Sequence, residues 1–241
     1  AQQQQTQQQA QQQAQQQQAQ QPPVRAGSVD CSRGVEAVPV GQRHVCQAEH
    51  VKDAFKFAWD GYRKYAWGHD ELKPVSKTFN AKEFIGLGMT IVDAMDTMYI
   101  MGFKDDYREC VSWVQREMSF DKDIYVSTFE TTIRALGGLL AAYDLSGDEI
   151  LKQKAEGIGY RLLKSFDPSG FPLTSVNLKT GHARTPNWQQ GRVILSEIGT
   201  IQIEFQRLSD VTGNPIFAEK ANEVFRMLAR MKATIPGLFP V

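Results

Sequence analysis

An all-α fold built from helical hairpins is what this sequence predicts, and three observations predict it. Apolar residues recur at spacings of three and four along most of the chain from Val51 onward. Turn signals such as Gly102, Ser146-Gly147-Asp148 and "DPSG" separate those stretches. No stretch shows convincing strand alternation. Roughly seven helices, most of them joined by short turns, make an all-α domain of paired helices.

The elements follow in order. "VKDAFKFAWDGYRKYAW" sets Ala54, Phe55, Ala58, Tyr62 and Tyr65 on one face. "TIVDAMDTMYIMG" aligns Ile91, Met95, Met98 and Met101 and stops at Gly102. Its partner "DDYRECVSWVQREM" turns Tyr107, Cys110, Val114 and Met118 inward. "FETTIRALGGLLAAYDL" and "EILKQKAEGIGYRLLKSF" come next. Residues 171–192, "FPLTSVNLKTGHARTPNWQQGR", read as a long irregular connection, and "VILSEIGTIQIEFQRLSDVTG" and "NPIFAEKANEVFRMLARM" as two further helices. An irregular loop of about twenty residues in a compact domain is usually functional or disordered. This one carries Thr174, Ser175, His182, Asn187 and Trp188, a composition suited to a polar ligand.

The chain has 241 residues, with 27 basic and 27 acidic side chains, so the formal net charge is zero. That balance gives no support to nucleic-acid binding or to an anionic membrane surface. Residues 1–21 contain only Gln, Ala and one Thr. Such a tract buries too little surface to offset its ordering entropy and reads as disordered. "PPVRAGS" follows as an extended linker, and the globular part is expected from about Gln47, leaving 1–46 as stem and linker. No apolar run long enough to span a membrane and no signal peptide is visible. The first residue is Ala1 rather than Met, which suggests a preceding segment. Cys31 and Cys46 flank a polar loop and either pair or stand as free thiols, and their spacing fits no zinc signature.

Carboxylates interrupt segments that otherwise read as buried. Asp93 and Asp96 stand in one helix, Asp70 and Glu71 in "WGHDELKP", Glu130 after Phe129, and Glu197 and Glu204 in "LSEIGTIQIEF". Helix caps and ion pairs are the usual fate of such groups. Glu130 and Arg134 stand at i,i+4, which is commonly surface support. Phe129, Ile133 and Leu136 occupy the same turns, so this pair abuts apolar surface instead. No Gly-x-Ser-x-Gly, Walker, dinucleotide or zinc motif occurs. Carboxylates, an arginine, a tryptophan and polar loop residues around a helical cavity suit carbohydrate chemistry.

"YAWGHDELKPVS", "TIVDAMDTMYIMG", "FETTIRALGGLLAAYDLSGD", "LSEIGTIQIEFQRLSDVTGNP" and "AEKANEVF" occur in an order and at spacings that resemble the class I α-mannosidases of glycoside hydrolase family 47. The resemblance covers about residues 48–241, and "GHDELKPVS" looks more like the endoplasmic-reticulum type than the Golgi type. It implies an (α/α)7 barrel, of which 47–241 would be the N-terminal half. It implies removal of terminal α-1,2-linked mannose from high-mannose N-glycans, with inversion and dependence on calcium. It implies residence in the lumen of the endoplasmic reticulum or Golgi as a type II membrane protein, with the anchor outside this chain. Residue by residue, Glu130 matches the candidate general acid, Arg134 an arginine that holds the sugar, and Glu197 a carboxylate that contacts it. Trp188 and Thr174 fall near positions lining the same subsite, and Asp93 and Asp96 match supporting acidic positions. The family's water-activating carboxylates and its calcium-binding threonine are expected downstream of Val241, so this chain alone is expected to be inactive. A mannosidase-like lectin that recognises glycans on misfolded glycoproteins is the alternative reading, and a plain helical scaffold is a third.

Overall fold

The computed structural model describes residues 29–32, 34–80, 86–232, 235 and 238. The Gln-rich tract, expected to be disordered, lies outside the described residues. The chain divides into a unit ending at Lys56 and a second beginning at Phe57. In the first unit, short 3-10 turns at Val35–Ala37 and Val40–Gln42 lead into helix α1 (Arg43–Tyr65). Regular structure thus starts before Gln47, within the stretch read as stem and linker. Cys31 and Cys46 form a disulfide, which settles the alternative left open by their spacing.

The second unit is mostly helical. Side chains along α1, which runs across the division, correct its expected face. Ala54 and Ala58 are exposed, whereas Trp59, Tyr62 and Ala66 are buried. The larger rings take the inward positions, and the Trp59 indole donates to Asp106 at 3.1 Å. A two-stranded hairpin, β1 (Leu72–Lys73) with β2 (Thr78–Phe79), follows.

Three helical hairpins then form the body of the unit. They are α2 (Met89–Met101) with α3 (Lys104–Arg116), α4 with α5 (Glu149–Leu162), and α7 (Gln202–Thr212) with α8 (Ile216–Arg230). α4 is a composite of an α turn at Thr128–Glu130, a π segment at Thr131–Leu136 and regular helix at Gly137–Ser146. The first helices of the hairpins contact each other in the order α2, α4, α7. The second helices pack behind them, with α3 against α5 and α5 also against α7. This is a curved double layer, as an α/α barrel wall requires.

Each hairpin turns at a glycine with positive φ, namely Gly102 at 85°, Gly147 at 75° and Gly213 at 71°. There the left-handed backbone returns an N–H to the last carbonyls of the helix. The core lies between the layers, with Met95, Met98, Cys110, Leu139, Leu151, Ile158, Phe205 and Phe217 fully buried. α2 and α4 cross so closely that a Cβ on Gly138 would stand 2.8 Å from Val92 Cγ1.

Two expectations change here. The connection at 171–192 is not wholly irregular. β3 (Tyr125–Ser127) pairs antiparallel with β4 (Ser175–Asn177), and β4 with β5 (Ala183–Arg184). The β4–β5 turn is held by the Asn177 side chain, whose Oδ1 accepts from the N–H groups of Lys179 and Thr180 at 3.0 and 2.9 Å. Strands this short are below the length at which alternation shows. The helix expected over 193–213 is also broken: α6 (Leu195–Ile198) stops at Gly199, the poorest helix former available short of proline, before α7 resumes.

Candidate functional site

Ser127 starts the site. It caps the first turn of α4, its Oγ accepting from the Glu130 N–H at 3.2 Å. That cap fixes Glu130 at the junction of strand β3 and helix α4. No hydrogen bond or ion pair reaches the Glu130 carboxylate among the described residues.

The expected i,i+4 pair between Glu130 and Arg134 does not form as an ion pair. Arg134 lies in the π segment, whose wider turn no longer stacks residue i+4 over residue i. Its guanidinium is carried toward α2, where Nε and Nη2 donate to Asp93 Oδ2 at 2.9 and 2.6 Å. Burial pulls the Arg134 pKa down, but the hydrogen bond and charge of Asp93, with Glu130 and Glu71 adding to it, raise it above the ordinary value. The arginine is therefore a permanent cation, steered by Asp93 and facing Glu130.

Glu197 lies on the short α6, within electrostatic reach of Glu130. Desolvation pushes its pKa up, and the like charge of Glu130 pushes it further. Glu197 shares a small cavity, about 10 Å³, with Thr128, Phe129, Thr174 and Ile201. Thr174 reaches it from the loop before β4, anchored where its carbonyl accepts the Thr128 N–H at 2.8 Å. A larger open cavity of about 340 Å³ is lined by Asp93, Asp96, Arg134 and Glu204 among others. Asp96 accepts from the Thr97 N–H and hydroxyl at 2.5 and 3.2 Å, a local contact.

The structure therefore gathers Glu130, Arg134, Asp93, Glu197 and Thr174 around one end of α4. Trp188 stands apart, 73% exposed on the 3-10 turn Asn187–Gln189. Sequence reasoning gave Glu204 no role, yet its Oε2 is buried without a partner among the described residues, and burial raises its pKa. Its signal was a glutamate inside the apolar run "IQIEF". Gln189 and Thr128 were missed, because nothing in their local spacing announces burial.

No group of three or more His, Cys, Asp or Glu side chains placed to hold a metal ion occurs among the described residues. Asp93 and Asp96, which line one cavity, are engaged by Arg134 and Thr97. The described residues do not fit a calcium site. No helix among the described residues is long and apolar enough to cross a membrane.

The model of glycosyl hydrolase family 47 matches residues 54–241. The endoplasmic reticulum mannosyl-oligosaccharide 1,2-alpha-mannosidase of Rattus norvegicus is 47% identical over 192 residues, covering 79% of this chain and 29% of its own length. Mannosyl-oligosaccharide 1,2-alpha-mannosidase IA of Sus scrofa is 43% identical over 194 residues, again covering 79% of this chain and 29% of its own. Among solved structures, the alpha-1,2-mannosidase from Trichoderma reesei superposes with a TM-score of 0.70 at 32% identity, over 78% of this chain and 41% of that one. The chain thus spans less than a third of those two curated relatives, and its double layer of hairpins is part of the (α/α)7 barrel of the solved one. With its motifs, its layered hairpins and this match all in agreement, the chain belongs to glycosyl hydrolase family 47.

Proposed function

We propose that this chain supplies the general-acid side of an α-1,2-mannosidase active site that trims high-mannose N-glycans. One observation carries the reading: the Glu130 carboxylate, without a partner among the described residues, is held by a capped helix start within electrostatic reach of the Arg134 cation and of Glu197. In this reading Glu130 gives its proton to the glycosidic oxygen as the C1–O bond breaks. Water attacks C1 from the opposite face, and a second carboxylate takes the water's proton, which inverts the centre. Two carboxyls set about 6.5–9.5 Å apart leave room for that water. Arg134, steered by Asp93, orients sugar hydroxyls, and Glu197 and Thr174 accept hydrogen bonds from them. Trp188 offers an exposed aromatic face to a further sugar, and Asp96 supports the wall beside Asp93.

Residence in the endoplasmic reticulum is supported by the names of relatives, and the disulfide suits an oxidising compartment such as its lumen or that of the Golgi. In the complete protein, Glu130→Gln should lower kcat by about 10²- to 10⁴-fold while glycan affinity changes little. Mannose release with unchanged turnover removes Glu130 from the chemistry. Glycan binding without any release by the unaltered protein would instead make it a lectin.

A further inference from the structure

Gln189 is a buried polar side chain to which the reaction above gives no task. It closes the 3-10 turn Asn187–Gln189 and is only 6% exposed. Its Oε1 accepts the hydroxyl of Thr174 at 2.8 Å. Its Nε2 is buried with no partner among the described residues. A buried amide donor left unpaired weakens a fold, and an apolar side chain of equal length would fill the space at lower cost. The use of a glutamine here is therefore to be found at Thr174. That threonine lines the small cavity with Glu197, Thr128 and Phe129. A hydroxyl has one proton and two lone pairs. With its proton committed to Gln189, the Thr174 oxygen offers only lone pairs to the cavity.

We infer that Gln189 is a positioning residue that fixes Thr174 as a pure acceptor, so that this corner of the site selects a ligand hydroxyl that donates. The inference rests on the mannoside reading of the site and deepens it. Thr174 then presents an acceptor alone to the cavity, which suits an alcohol O–H and rejects a carbonyl, an ether or an O-methylated sugar. Removing the glutamine frees the threonine proton to point into the cavity, which costs binding and leaves bond cleavage alone.

The test is a double-mutant cycle in the complete protein, with α-1,2-linked mannobiose as substrate and KM, kcat and melting temperature as readouts. Gln189→Met and Thr174→Val are each expected to raise KM about five- to tenfold with kcat within about twofold, and the double variant no more than either single one. Gln189→Glu keeps an acceptor oxygen and is expected to bring KM back to within about twofold of the unaltered protein. A lowered melting temperature in Gln189→Met with unchanged KM overturns the inference, and so do KM losses that add in the double variant. Absence of mannose release by the unaltered protein overturns the mannoside reading and this inference with it. Release with unaffected Gln189→Met kinetics overturns the inference alone.

Discussion

Asp70 and Glu130 are carboxylates at the starts of neighbouring helices, and the structure treats them in opposite ways. Asp70 is 1% exposed and accepts from the N–H groups of Gly86, Leu87 and Met89 at 2.5, 3.0 and 3.1 Å. Its own carbonyl takes the Thr90 hydroxyl at 2.7 Å. Gly88, at the start of α2, has no side chain with which to cap the helix, so Asp70 does it from a distant loop. The Glu130 carboxylate receives nothing among the described residues, while a serine caps its helix in its place. A carboxylate that holds the fold is saturated with donors. Glu130 is left open, with its backbone secured by another residue, which fits the general-acid role proposed for it.

The sharpest way to break this contrast is Asp70→Ala. It strands backbone donors in the interior and should cost about 3–5 kcal/mol, read as a lower denaturant midpoint with unchanged slope. A loss under about 1 kcal/mol would mean that the saturated site is not structural.

Asp93→Asn tests the middle ground, since Asp93 serves the arginine and not the fold. Turnover of the complete protein should fall about tenfold, while stability moves by no more than about 1 kcal/mol, as expected of a half-exposed pair. Equal damage to stability and turnover would erase the distinction.

Glu204→Gln is the smallest effect. Burial raises the Glu204 pKa, so its ionised form opposes folding at neutral pH, and its stability contribution is greatest below the ordinary glutamate range. The variant should gain on the order of 1 kcal/mol at neutral pH, and the gain should fade on acidification as the wild-type group takes up its proton. Thermal melts across pH check both the sign and the fading.

Much of this was legible from local spacing. The hairpins were readable because Gly102, Gly147 and Gly213 mark their turns and the buried faces of α2 and α3 repeat at helical period. Ile91, Met95, Met98, Tyr107, Cys110, Val114 and Met118 are all buried as that period requires. The sheet escaped because β4 and β5 have only three and two residues. The α1 face was misplaced because alanines fit the period as well as Trp59 does, and only packing chooses between them. The partner of Arg134 escaped for another reason. An i,i+4 rule assumes an α-helix, and Asp93 lies 41 residues away in sequence. Glu130 itself was legible as a charge on an apolar helix, whereas Asp70 showed only as an acidic residue in a loop.

The π segment Thr131–Leu136 has a bearing on how this helix tolerates change in length. It joins a turn aligned with the groove to a stretch, Gly137–Ser146, aligned with the core through Leu139, Leu140 and Ala142. In a regular helix each residue advances the face by about 100°. Deleting one residue would mend the hydrogen-bond ladder and at the same stroke swing one of those two faces out of phase. The irregular turn is therefore carried in the sequence as a fixed angular offset between what the helix anchors and what it presents.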